Sequence, residues 1–238
     1  SDLLPRLEVV IPGNAAAAMQ PFLEKWWPKE MPTWRIDQNR SPLFHPRPYL
    51  GMMPFLALMA EQGCLQPPAP VASISPVFQE TRGILFCWKS KIDKDEKLWA
   101  YLRSIPFSII QSFYQELIPW AQANQIKIID ITKYNHAEIQ QLSKFENSLY
   151  LVSDQVKSLN DTVQLMQISK LIISIDTSLI HVAQWFNRKP LMLCPKFPDG
   201  RWISTSKSPS SPIIFSQDFL YDWSHPLEKA MDEIKKTF

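Results

Sequence analysis

The chain has 238 residues, 45% of them hydrophobic and 20% charged, with a formal net charge of +2. That length and mix describe an ordinary soluble globular protein of one large or two modest domains with ample core. The near-neutral balance, without a dense Lys/Arg cluster, argues against nucleic acid as a partner, and no apolar run approaches the length of a membrane span.

Residues 7–11 (LEVVI) read as a strand, 12–14 as a turn, and 15–27 as a helix bent or restarted at Pro21. From 28 to 49 prolines recur every few residues and no long helix fits; helical character resumes at 51–62. Residues 66–76 (QPPAPVASISP) are proline-rich, uncharged and extended, so the boundary between residues 1–76 and 77–238 is placed there. Beyond it the pattern becomes regular: a buried strand at 84–88, then a charged loop at 89–103. An amphipathic helix follows at 106–123, with Ile109, Ile110, Phe113, Leu117 and Ala121 on one side. A strand at 126–131, a modest helix at 136–145, a short strand at 149–152 and a helix at 161–169 come next. The chain closes with a Ser/Lys/Pro loop at 203–211, a last strand at 212–215 and a helix at 227–238 striped by Leu227, Ala230, Met231 and Ile234. Strands alternating with helices imply an α/β fold with a doubly wound parallel sheet, beside a small, irregular N-terminal region.

The stretch 171–202 carries most of the chemistry. Leu171, Ile172, Ile173 and Ile175, broken only by Ser174, suit a strand buried on both faces. Asp176-Thr177-Ser178 reads as a helix start, with Asp176 as the expected N-cap. Leu179, Val182, Ala183 and Phe186 recur at helical spacing, and Arg188-Lys189-Pro190 ends the helix with cations at its negative end. The next apolar run, Leu191–Cys194, completes a strand–helix–strand unit whose first turn lies where open α/β sheets bind ligands. Unpaired N–H groups at a helix start attract phosphate, and the Thr177 and Ser178 hydroxyls add donors. His181, four residues after Thr177, lies on the same helical face and can look toward the same anion. An N-capped core helix with an incidental histidine fits the same spacing.

Composition narrows the chemistry. Five glycines leave no Walker-type or GxGxxG loop, which excludes the usual phosphate cradles of kinases, NTPases and dehydrogenases. Nine tryptophans, several in predicted loops, suit either core packing or the lining of sites for sugars and flat rings. The three cysteines are unclustered; Cys87 and Cys194 fall in predicted strands and read as buried free thiols in a reducing compartment. No spaced Cys/His cluster supports metal ligation. The opening SDLLPRLEVVIPG lacks the basic and apolar regions of a signal peptide, so a cytoplasmic location is expected.

The segment IDTSLIHVA, then KPLML, then PKFPDGRW, resembles the C-terminal half of heptosyltransferase-like glycosyltransferases. The resemblance is nearest to the bacterial members attached to tetratricopeptide repeats, whose motif runs D-T-[SA]-x-x-H-[LV]-A, then P-x-x-P-D-x-R-W. Pro195, Pro198, Asp199, Arg201 and Trp202 match the second part, and ILFCWKS and RSIPF resemble the family's opening strand and the step before its first helix. The matches run in order over residues 82–202. The resemblance implies a GT-B fold, two Rossmann-like domains across a cleft, with residues 77–238 holding the nucleotide-sugar.

It also implies roles. Asp176, Thr177, Ser178 and His181 would hold the donor diphosphate, and Lys89 or Lys97 would supply a cation. Asp199 and Arg201 would lie at the same sheet edge, as a ligand contact or as an ion pair bracing the loop. Such transferases are usually metal-independent and need no cofactor beyond the nucleoside-diphosphate sugar they consume. Trp88-Lys89-Ser90 departs from the family's W-S-G. Residues 1–76 are short for a whole acceptor-side domain, and PLFHPRPY resembles only its late part, so a reduced or partial domain is expected. Asp37 and His45 are the nearby residues with the chemistry of a base, and neither matches a family motif.

Three readings follow. One is an inverting glycosyltransferase acting on a hydroxyl of a glycan, lipid or protein. Another is a catalytically inactive GT-B-derived binding or assembly subunit, self-associating or held by a partner. The third is a different doubly wound enzyme with an anion site at the same turn.

Overall fold

The computed structural model describes residues 9–12, 34–37, 82–90, 97–145, 147–198, 202 and 210–238. In the N-terminal region two strands pair in parallel, β1 (Val9–Pro12) and β2 (Trp34–Asp37), with Val9 opposite Trp34. The first lies within two residues of its expected place. The second was hidden by the surrounding prolines, although Trp34-Arg35-Ile36-Asp37 alternates apolar and polar as a strand should. The expected helices at 15–27 and 51–62, the linker at 66–76 and His45 lie outside the described residues.

From residue 83 the expected alternation is present. β3 (Gly83–Cys87) leads to α1 (Lys97–Arg103) and α2 (Phe107–Ala123), then β4 (Lys127–Asp130), α3 (His136–Leu142) and β5 (Leu149–Leu151). α4 (Leu159–Ile168), β6 (Leu171–Ile175), α5 (Ser178–Trp185), β7 (Leu191–Cys194), β8 (Ile213–Ser216) and α6 (Ser224–Thr237) follow. The six strands from β3 onward form one parallel sheet in the order β5-β4-β3-β6-β7-β8. In order of appearance that is 3-2-1-4-5-6, the doubly wound arrangement of nucleotide-binding folds. The chain builds outward from β3 through β4 to β5. It then returns to lay β6 on β3's other side, so the strand order reverses between β3 and β6.

Burial follows the pleat. Ile173, Ile175, Leu191 and Leu193 join a core with α2 and α6, through Phe113, Leu117, Leu227 and Ile234. On the other face, Met192 and Cys194 pack with Ile180 of α5 and with Trp202. β3, β6 and β7 are buried at every position, as expected for strands covered on both faces.

Several expectations are corrected. The stretch expected as a charged loop at 89–103 contains α1, a short helix that the flanking charge run concealed. α4 begins two residues before Asp161, because Asp161 is the third helical residue of a capping box whose N-cap is Ser158. α6 likewise starts at Ser224 rather than Leu227. Arg188 does not cap its own helix: its guanidinium donates to the carbonyls of Met166 at 3.1 Å, Lys170 at 3.2 Å, and Ser169, at the end of α4. The preceding Asn187 takes φ 53°, a left-handed turn that asparagine tolerates. Trp88, Trp185, Trp202 and Trp223 are core residues, and among the described residues Tyr101, Phe197, Phe219 and Tyr221 are left exposed.

Candidate functional site

The carboxyl ends of β3 and β6 flank the point where strand order reverses, the place where sheets of this kind receive ligands. Cys87 pairs with Ser174 in register. Trp88-Lys89-Ser90 and Ile175-Asp176-Thr177 therefore leave neighbouring strands at the same level, roughly one strand spacing of ~4.8 Å apart.

At the β6 end the local sequence builds an ordered helix start. Thr177, not Asp176, is the N-cap: its backbone is extended and its Oγ1 accepts the Leu179 N–H at 3.3 Å. Asp, Thr and Ser can all cap, and the chain turns into the helix one residue later than expected. The Ser174 hydroxyl donates to the Ile175 carbonyl at 2.8 Å, so the 2.9 Å contact between Ser174 Oγ and Thr177 Oγ1 is donated by Thr177. Each hydroxyl in this chain is both donor and acceptor, which fixes the turn. Ser178 is exposed at the first helical position. Asp176 is 3% exposed. Burial and then the Asp176 charge push the Cys194 thiol up to about 12.

His181 sits one turn into α5 and is buried, its ring stacked on Trp202 with centroids 4.8 Å apart and planes 15° from parallel. The stack joins the two halves of the sequence motif: the histidine of IDTSLIHVA lies against the tryptophan of PKFPDGRW. Asp199 and Arg201 lie outside the described residues.

At the β3 end Lys89 is directed elsewhere. Its ammonium binds both carboxylate oxygens of Glu138, at 3.0 and 3.2 Å, and lies 5.7 Å from the centre of the Trp88 ring. Glu138 belongs to α3, beyond β4, on the side of β3 opposite β6. Lys89 and the Asp176–His181 turn thus share one sheet edge, but the ammonium is turned away from it. Lys97 begins α1, and its side chain is outside the described residues.

Sequence reasoning missed what holds Lys89 in place. Asp130, fully buried at the end of β4, accepts hydrogen bonds from the Tyr114 and Tyr134 hydroxyls and, at 2.7 Å, from the Thr132 N–H. Burial outweighs these three donors and raises its pKa, while burial beside Asp130 raises both tyrosines. The cluster reaches back to β3: Trp88 N–H donates to Thr132 Oγ1 at 3.2 Å, and its indole N–H to Tyr134 Oη at 2.8 Å. Tertiary pairing of this sort leaves no mark in spacing. Glu138 was legible, since Asn135-x-x-Glu138 has capping-box spacing and forms one. Among the described residues no group of three His, Cys, Asp or Glu side chains could hold a metal ion, and no helix is long and apolar enough to cross a membrane.

No family model matches the chain, and no curated protein matches it. Solved structures do. The likeness is to heptosyltransferases. Escherichia coli ADP-heptose lps heptosyltransferase II is 15% identical, with 83% of this chain covering 56% of that one at a TM-score of 0.46. E. coli heptosyltransferase WaaC with ADP-2-deoxy-2-fluoro heptose is 13% identical, with 76% of this chain covering 54% of that one at 0.45. The same enzyme with ADP gives 13%, 83%, 53% and 0.45. The chain spans about half the length of these structures. The likeness is one of chain course, and the site described above rests on its own residues.

Proposed function

We propose that the protein is glycosyltransferase-like, that it binds a nucleoside-diphosphate sugar at the carboxyl edge of β3 and β6, and that it transfers the sugar to a hydroxyl with inversion. One observation carries the reading: at the reversal of strand order, His181 stacks on Trp202 beside an ordered, Thr177-capped helix start. The diphosphate would face the Ser178 N–H and hydroxyl at the first turn of α5, where the helix dipole favours negative charge. When the acceptor oxygen attacks the anomeric carbon from the opposite face, the bond to the diphosphate oxygen breaks. The charge released there would be met by the fixed donors of Ser178 and the helix dipole rather than by reorganising water. The acceptor's proton requires a base, for which Asp37 and His45 are the candidates. The acceptor itself is a glycan, lipid or protein hydroxyl.

One observation favours the second reading, a GT-B-derived binding or assembly subunit without catalysis: the Lys89 ammonium is already paired with Glu138. Calorimetric titration with UDP, GDP, ADP and CMP tests the proposal. Saturable binding of one of them, lost in His181→Ala with the fold intact, is expected; no binding by any would remove the donor site.

A further inference from the structure

The Lys89–Glu138 pair is built unlike an incidental surface contact. The segment Trp88-Lys89-Ser90 is pinned on both sides of Lys89. Trp88 N–H is held by Thr132 Oγ1, and the Trp88 carbonyl accepts from the Ile105 N–H at 3.0 Å. Ser90 N–H donates to Ser104 Oγ at 3.0 Å, and Ser90 Oγ accepts from Arg103 Nε at 3.1 Å. The backbone that carries Lys89 is therefore fixed, and its freedom lies in its side-chain torsions. Glu138 is fixed too: its Oε2 accepts the Asn135 N–H at 2.8 Å and stays anchored whether or not Lys89 is present. The side chains of Lys89 and Glu138 are 27% and 12% exposed, so the ammonium remains open to solvent on one side. A lysine side chain is longer than the ~4.8 Å spacing between β3 and β6. The side chain is thus long enough to span from its own strand end to the neighbouring one.

We infer that Glu138 is the resting partner of Lys89, and that an anion at the β6–α5 turn takes the cation from it, so that Glu138 sets the site's affinity by competition. The inference rests on the proposed function, because it needs an anion there. Glu138 acts through Lys89 and is a positioning residue. In the empty site the carboxylate satisfies the ammonium while the capping box holds the carboxylate in place. In the occupied site the ammonium moves to the diphosphate, and Glu138 keeps its bond to Asn135 N–H. The ion pair is thus a fixed cost on anion binding, one that removing the carboxylate's charge would lift.

The test is a double-mutant cycle read by titration with the nucleoside diphosphate that wild type binds. Glu138→Gln preserves the capping-box geometry, since glutamine serves at that position as glutamate does. It is expected to tighten binding about fivefold, the equilibrium factor of a partly exposed ion pair. In a Lys89→Met background the same change is expected to shift affinity less than about 1.5-fold, within additive behaviour. Glu138→Asp, one methylene shorter, gives a second reading, and thermal denaturation verifies that each variant is folded at the titration temperature. Unchanged or weakened binding in Glu138→Gln overturns the inference. Equal tightening in both backgrounds also overturns it, since the carboxylate would then act as a distant charge and not through Lys89. Absence of any nucleotide binding by wild type overturns the functional reading and the inference together.

Discussion

Replacing Thr177 by alanine should destabilise the protein by about 1.5–2.5 kcal/mol. The figure follows from two separable losses. Thr177 Oγ1 accepts the Leu179 N–H, and loss of an N-cap oxygen costs ~1 kcal/mol. Its hydroxyl also donates to Ser174 Oγ, a fully buried atom, and a net hydrogen bond contributes ~0.5–1.5 kcal/mol. Ser174 keeps its bond to the Ile175 carbonyl, so no further penalty for an orphaned donor is due. Thr177→Ser retains both contacts and should stay within about 0.5 kcal/mol of wild type. Equilibrium urea denaturation measures this as a lower midpoint with an unchanged slope, and thermal denaturation as a fall of roughly 3–10 °C. A Thr177→Ala loss below about 0.5 kcal/mol, with the larger cost at Asp176→Ala, would return the cap to Asp176 and refute the reasoning.

Other consequences are independent of this one. Arg188→Lys should cost about 1–2 kcal/mol in the same denaturation assay, because an ammonium cannot reach three carbonyls from one planar fork. Cys87 and Cys194, both buried with thiols pushed up to about 12, should resist iodoacetamide at pH 8 in the native protein and react in urea, as read by peptide mass spectrometry. For Asp130 the sign follows from its raised pKa: above the ordinary value of 3.8 the folded state holds a proton that the unfolded state has lost. Its contribution to stability therefore falls as pH climbs from 3.8 through the raised value, and then levels off. Asp130→Asn should flatten that slope in denaturation curves taken across the interval; an unchanged slope would mean Asp130 is not raised.

What the sequence disclosed divides along physical lines. β3, β6 and β7 were legible because strands buried on both faces must be nearly uninterrupted apolar runs, and LIISI and LMLC are. α5 was legible in place but not in its cap, since Asp176, Thr177 and Ser178 share the same capping chemistry and only the backbone path decides among them. The starts of α3 and α4 obeyed capping-box spacings that were present in the text of the chain and passed over. The Asp130 cluster could not be read at all. It joins residues from the segment after β3, α2, β4 and the segment after β4, and their meeting depends on sheet order. The turning of Lys89 toward Glu138 belongs to the same class: a charge selects its partner in space, and Glu138 lies 49 residues away. The contact of His181 with Trp202 was foreshadowed only by the shared motif.

The central claim is that anions bind at the carboxyl edge between β3 and β6. Amide chemical-shift mapping of labelled protein during titration with nucleoside diphosphates tests it most directly. The expected result is saturable shifts confined to Trp88–Ser90, Asp176–His181 and the Trp202 indole, with the opposite edge at Arg82 and Lys170 unmoved. Saturable shifts centred on Arg82 and Lys170, with Thr177 and His181 still, would contradict it.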